Sequence, residues 1–216
     1  MNETAPTHRL PPGSNAPSPP LLPLLPLLPL LPLLPLPPLL PLLLAAQLSA
    51  CTCDLETIEL TDWTAAWQLE EEVMLEQLNK DRAAGAMCDD EHFPAAPPLT
   101  LNHNLRRAAR YHSQQMAERD FFDHDDPDDC GPSDRIEAAG YVLSGTYSTG
   151  ENIVMGYADS KVAQQVLLDS PGHCRNIMNL TFTEVGIGFF DDNGFDGKHW
   201  TQVFAHRDSA GSSGLK

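Results

Sequence analysis

Between Phe121 and Asp129 the chain sets five aspartates and a histidine in a row: Asp123, His124, Asp125, Asp126, Asp128 and Asp129. Carboxylates at this density attract Ca²⁺. The run nevertheless lacks the EF-hand spacing, its glycine and its terminal glutamate. A solvated acidic loop is the expectation, one that raises the local concentration of cations near His124. His112 falls on an apolar helical stripe, where core packing with one hydrogen bond is expected rather than ligation. His103 and His199 read as exposed helix-start and hairpin residues. Five cysteines occur, Cys51, Cys53, Cys88, Cys130 and Cys174, and their spacing alone does not give a connectivity. Cys51-x-Cys53 is neither a zinc nor a thioredoxin motif. No Gly-x-Ser-x-Gly and no His-Glu-x-x-His is present.

The elements that must position these residues follow from periodicity. Met74, Leu75 and Leu78, with Trp67 one heptad earlier, predict a first helix over about 63–84, closed by Gly85. A loop with Pro94, Pro97 and Pro98 follows. Leu101, Leu105, Ala108, Ala109, His112 and Met116 form the stripe of a second helix. Thr100 is its expected N-cap, and Arg106, Arg107 and Arg110 lie off the stripe. A third helix over 159–168 should turn Val162, Ala163 and Val166 inward. Ser170 followed by Pro171 is a strong helix start, which puts His173 in the first turn. Val185, Ile187 and Phe189 then alternate with Gly186, Gly188 and Phe190, the period of a strand. Asn193-Gly194 and Asp196-Gly197 supply turn chemistry, and 200–205 reads as the returning strand.

The chain has 216 residues, with 13 Lys+Arg against 30 Asp+Glu and a net charge of −17. Residues 1–50 carry only two of those charges, Glu3 and Arg9, and 14 of the 20 prolines. So acidic a body argues against nucleic acid, heparin and a polybasic hold on lipid. Leu21–Leu44 is leucine and proline only, mostly as Leu-Leu-Pro. Proline every third residue suits polyproline II and opposes a transmembrane helix. The end of the segment, Leu48-Ser49-Ala50-Cys51, resembles a bacterial export signal or a lipoprotein box in which Cys51 is lipidated. Export to the extracellular space or the cell envelope is the expectation, and it permits disulfides. The expected organisation is 1–50 signal-like and low-complexity, 51–66 linker, 67–208 folded domain and 209–216 tail.

Seven short stretches in order resemble the CAP superfamily of cysteine-rich secretory, antigen five and pathogenesis-related proteins, and most closely its short bacterial branch. They are Leu78-Asn79-x-x-Arg82-x-x-Gly85, the Ala109–Met116 helix, Phe122-Asp123-His124 and Arg135-x-x-x-Ala139-Gly140-Tyr141. They continue with Gly150-Glu151-Asn152-Ile153, Ser170-Pro171-Gly172-His173-Cys174-x-Asn176-Ile177-Met178, and the pair Val185-Gly186-Ile187-Gly188 and Trp200-Thr201-Gln202-Val203-Phe204. The resemblance implies an α+β fold, a three-layer α-β-α sandwich around a small antiparallel sheet. It also implies a Cys88–Cys174 disulfide. Cys53–Cys130 could be a second bridge.

The resemblance further implies a cavity with two histidines and two glutamates. His124, Glu151 and His173 match three of these, and Ser170 stands where the second glutamate would be. Two neutral imidazoles facing one cavity suit a divalent metal such as zinc, so His124 and His173 are the expected metal ligands. Glu151 could be a third ligand, a base or an orienter of a histidine. A hydrogen-bonded network with no ligand is the competing reading.

Three functions stay open on the sequence. One is an exported binding module for a divalent cation, a small molecule, a lipid or a protein partner. Another is a metal-assisted, peptidase-like hydrolase, and the third is an acidic surface for a basic protein. The first is preferred, and no catalytic residue is assigned.

Overall fold

The computed structural model describes residues 53, 55, 63–143, 145–192 and 197–208. The leucine/proline segment, the export-signal and lipidation expectations at Ala50 and Cys51, the Asn193–Asp196 part of the turn and the 209–216 tail lie outside them. No described helix is long and apolar enough to cross a membrane.

Helix α1 (Ala65–Ala84) starts where the Thr64 side chain accepts the Trp67 N–H and stops at Gly85, whose φ of 76° favours glycine. Strands β1 (Ala86–Cys88) and β2 (Glu91–Phe93) make a small antiparallel hairpin, in a region whose sequence carries no strand period and reads as loop. Strand β3 (Thr100–Leu101) leads into helix α2 (His103–Glu118). The N-cap of α2 is Asn102, not Thr100, because Thr100 and Leu101 are taken up in the sheet. The Asn102 side chain accepts from Asn104 and Leu105 instead. Helix α3 (Pro132–Ala138), strand β4 (Tyr147–Met155), helices α4 (Ser160–Asp169) and α5 (Pro171–Met178), and strands β5 (Glu184–Asp191) and β6 (Lys198–Arg207) complete the order.

The main sheet runs β3-β5-β6-β4, antiparallel except for the short parallel β3–β5 pair. Successive strand residues point to opposite faces, so each face builds its own core. Trp200, Phe204, Val185, Ile187 and Phe189 pack with Met74, Leu78, Leu167 and Ile177 from α1, α4 and α5. Val203 and Ala205 pack with Leu105, Ala108 and Ala109 of α2 and Ile136 of α3. The result is α+β, a sheet between two helical layers. Helix α2 lies directly on Gly186 and Gly188. A Cβ at either glycine would overlap the α2 backbone at Leu105–Arg106 or Ala109–Arg110. The alternation of large residues and glycine in β5 thus has a cause: one face fills the core and the other admits a helix.

Four side-chain expectations are corrected. Val162 is exposed, while Ala163, Gln164 and Leu167 are the buried face of α4. Arg106 and Arg110 are buried rather than solvated. Glu71 of α1 is fully buried and draws them in. The Arg110 guanidinium donates to both Glu71 oxygens at 2.6–3.1 Å, Arg106 lies 3.5 Å away, and Trp63 and the Phe189 N–H also donate to Glu71. His199 is buried, because β6 is an interior strand that already includes it. Asp126 leaves the solvated loop to accept the N–H groups of Asp128 and Cys130, so it organises the acidic run from within.

Both disulfides form. Cys88–Cys174 ties the β1–β2 hairpin to α5, and Cys53–Cys130 ties the N-terminal segment to the loop before α3. Leu55 is buried beside it, with its carbonyl accepting from Arg107 at 2.8 Å.

Candidate functional site

Strand β4 is an edge of the main sheet, paired with β6 alone among the described residues. Two adjacent residues at its centre, Glu151 and Asn152, point to opposite faces and organise different helices. Glu151 faces α2 and α3. Asn152 faces α5, where its Nδ2 donates to the His173 carbonyl (3.2 Å) and to Gln202 (3.1 Å). Asn176 of α5 donates back to the Glu151 carbonyl (3.2 Å) and to Asn152 Oδ1 (2.9 Å). The short helix that carries His173 is thereby fixed to the strand that carries Glu151.

The Glu151 carboxylate is almost wholly enclosed, its side chain 2% exposed. Arg135 Nη2 lies 3.0 Å from Oε1 and 2.9 Å from Oε2, and His124 Nδ1 lies 2.9 Å from Oε1. Arg135 also donates to the carbonyls of Cys130 (2.6 Å) and His124 (2.8 Å), so one guanidinium holds both the carboxylate and the loop opposite it. His112 Nε2 is 2.9 Å from the Asp123 carbonyl and 3.7 Å from Glu151 Oε1. A carbonyl only accepts, so His112 Nε2 carries the proton. Its Nδ1 makes no hydrogen bond among the described residues.

These contacts set the charges. Burial alone would raise the Glu151 pKa. The His124 hydrogen bond and the Arg135 charge outweigh it and hold the carboxyl below its ordinary value. Hydrogen bonding to Glu151 raises His124 above the usual imidazole value, against a smaller opposing effect of burial. Burial pushes His112 down to about 4, so it is neutral. Burial, and then the like charge of His124, lower His173.

Since Glu151 accepts from Nδ1 of His124, the tautomer is set and Nε2 is the ring nitrogen left for another partner. His124 and Glu151 line a shallow cleft of ≈ 300 Å³ with Pro132, Ser133, Thr149 and Gly150. His173 and Ser170 do not line it. His173 is half-buried in the first turn of α5, its ring making no hydrogen bond among the described residues. Ser170 caps α5 through its backbone, its carbonyl accepting the Cys174 N–H at 2.8 Å, without a side-chain bond. No group of three or more His, Cys, Asp and Glu side chains among the described residues is arranged to hold a metal ion.

Arg135 and His112 were not legible as members of this site. Arg135 stood in a motif with Ala139, Gly140 and Tyr141, with nothing to show that it turned toward Glu151. His112 is the core histidine expected from its stripe, and its one hydrogen bond goes to the residue before His124.

The cysteine-rich secretory protein (CAP) family model matches residues 76–204. The chain belongs to that family. The uncharacterized protein YkwD of Bacillus subtilis is 34% identical over 108 residues, 50% of this chain and 39% of the relative. The uncharacterized membrane protein YlbC of the same organism is 33% identical over 96 residues, 44% of this chain and 25% of the relative. The matched part therefore spans well under half of these curated relatives. Among solved structures, an extracellular protein of Bacillus anthracis containing an SCP domain superposes with a TM-score of 0.50 at 25% identity, covering 66% of this chain and 40% of that one. An outer surface protein of Borrelia burgdorferi superposes with a TM-score of 0.53 at 15% identity, covering 65% and 95%, which shows a shared fold.

Proposed function

We propose that this protein is an exported binding module of the cell envelope or extracellular space, whose cleft beside His124 takes a small polar ligand or a divalent cation. The observation that carries the reading is the occupation of Glu151. Both its oxygens are engaged by Arg135 and one also by His124. A carboxylate so held is a poor general base and a good orienter. What it orients is His124, with Nε2 as the nitrogen available to a ligand.

Zinc is the metal that suits imidazole donors here. His124 Nε2 would hold it from the cleft, His173 would join only by turning in from the first turn of α5, outside the cleft lining, and Glu151 would steady His124 without touching the ion. A bound ion would supply positive charge and open positions for a small anionic or carbonyl ligand. Two protein nitrogens are fewer than the three usual for catalytic zinc, which favours binding over hydrolysis.

Export is supported by the small-residue end of the leucine/proline segment and by two disulfides, which persist in oxidising compartments. The extracellular and outer-surface neighbours point the same way. Lipidation of Cys51 would add an anchor. Detergent partitioning of wild type against Cys51→Ala tests it, and equal aqueous recovery of both forms would reject it.

Calorimetric titration of Zn²⁺ into the purified protein, beside a His124→Ala/His173→Ala variant, tests the cleft. One-to-one saturable binding lost in the folded variant is the expected result. Wild type that binds nothing, or binding identical in both proteins, would overturn the metal reading.

A further inference from the structure

Strand β4 pairs with β6 on one side only, and the register decides which main-chain groups that pairing uses. In an antiparallel pair, alternate residues turn both N–H and C=O to the partner, and the residues between turn theirs away. The Thr146 carbonyl accepts the Asp208 N–H at 3.0 Å, and the Gly156 N–H donates to the Lys198 carbonyl at 2.8 Å. Even-numbered residues therefore face β6. The Glu151 carbonyl accepts from Asn176 instead, as an odd-numbered residue should. Tyr147 and Thr149 thus turn their N–H and C=O groups outward, and nothing among the described residues bonds them. We propose that an extended, basic peptide adds here as a further strand, along residues 147–150 and past the cleft at His124.

An open strand edge is a template for another strand, and folded chains usually blunt it with charge, proline or a bulge. Residues 147–150 read Tyr-Ser-Thr-Gly and carry no charge and no proline. Tyr147 is 51% exposed. Past them, Asn176 of α5 takes the Glu151 carbonyl and closes the edge. The opposite edge, β3, has two residues, too few to template a partner. Main-chain bonds to Tyr147 and Thr149 would give affinity, and side chains of the added strand would give selection. Thr149 shares a face with Glu151 and lines the cleft with His124 and Ser133, so alternate side chains of the peptide enter it.

Charge names the occupant. Asp125 and Asp134 are exposed and converge on Gly131, next to Pro132 and Ser133 of the cleft wall. A Cβ at Gly131 would lie 2.9 Å from Asp125 Oδ1 and 3.5 Å from Asp134 Oδ2. Lysine or arginine side chains of the peptide answer these carboxylates and the net charge of −17. An acidic peptide is repelled, and a second copy of this chain brings the same −17 to the edge. The inference rests on the binding-module reading above and not on the metal.

The blocked hexapeptide Thr-Lys-Thr-Lys-Thr-Lys is a suitable probe, titrated into the whole protein without metal and followed by calorimetry and amide hydrogen exchange. Saturable one-to-one binding is expected, about ten-fold or more tighter than for the glutamate isostere at low salt. Methylation of every peptide nitrogen should weaken it about ten-fold or more, because the donors are lost. Exchange at the Tyr147 and Thr149 amides should slow about ten-fold or more, while Ser148 and Gly150, already bonded to β6, change little. Thr149→Pro removes an outward donor and no ladder bond, and should weaken binding about ten-fold. Binding that fails to saturate, equal affinity for the methylated or the glutamate peptide, or exchange without this alternation would each overturn the proposal. Slow exchange at both amides in a dimer without peptide would overturn it in favour of a second copy. The exchange pattern needs only wild type, so misfolding of a variant does not remove the test. Zinc binding without peptide protection defeats this inference alone, and peptide protection without zinc binding defeats the metal alone.

Discussion

Arg135 Nη2 stands 3.0 and 2.9 Å from the two carboxylate oxygens of Glu151, and neither side chain is more than 2% exposed. The pair joins α3 to the sheet edge. Through the carbonyls of Cys130 and His124, it also fixes the loop that carries His124. Removing one partner leaves the other charged and buried. Arg135→Met is therefore expected to cost roughly 3–5 kcal/mol. Arg135→Met/Glu151→Gln should recover part of it, as a double-mutant cycle by urea unfolding would read. A loss below about 1 kcal/mol for the single variant would contradict this account.

Glu151 should also govern the basicity of His124. In wild type the His124 ring is expected to titrate above its ordinary value, because the carboxylate stabilises the imidazolium. In Glu151→Gln, the His124 titration followed by NMR should move down. An unmoved titration would mean that the 2.9 Å bond does not set the charge of this ring.

His112 gives stability an acid limb. Its folded pKa is about 4 because of burial, against about 6.5 for an unfolded histidine. Between those values the unfolded chain binds a proton that the folded chain refuses. The contribution is complete above the unfolded value, and about 3 kcal/mol is lost as pH falls from about 6.5 toward 4. His124 acts oppositely. Its raised pKa makes its contribution full below the unfolded value and lost as pH rises through the folded one. That ring is half exposed, so solvent screens the effect. Urea unfolding from pH 7 to 5 should show falling stability in wild type and a flatter profile in His112→Gln. Parallel profiles would reject this origin.

Two glycines make a matched contrast. Gly186→Ala drives a Cβ into the backbone of α2 at Leu105, with no flexible atom to yield. It should cost about 3 kcal/mol or more, the upper end of overpacking. Gly172 lies within α5, and a Cβ added there would meet nothing within 4 Å. Gly172→Ala should raise stability by about 0.5–1 kcal/mol through helix propensity. Thermal unfolding of the two variants would show whether they shift in opposite directions.

The disulfides should differ in what they protect. Cys88→Ala/Cys174→Ala is expected to cost about 2–5 kcal/mol, since that bridge closes a long loop and both its cysteines are buried. Cys53→Ala/Cys130→Ala releases the N-terminal segment and slackens the loop whose Cys130 carbonyl holds Arg135. It should broaden the NMR signal of His124 more than the first pair does. Equal effects of both pairs on that signal would break the link to the site.

What the sequence alone determined is what short-range periodicity and local chemistry determine. The helices α1, α2, α4 and α5 announced themselves through apolar spacing or caps, β5 through alternation, and β6 as the strand returning after the turn residues. The ordered family stretches marked the fold and the three residues His124, Glu151 and His173. Helix α3 has only seven residues, too few to build a stripe. Strand β4 is a sheet edge, exposed at its start and covered at its centre, so no clean alternation is written in Tyr147–Met155. The tertiary structure alone decided which charges are buried. Arginine and glutamate are surface residues by default, because an unpaired charge is too costly to enclose. Arg110, Arg106 and Arg135 go inside only because Glu71 and Glu151 arrive from distant parts of the chain to receive them. Nothing local to any of the five residues records that meeting.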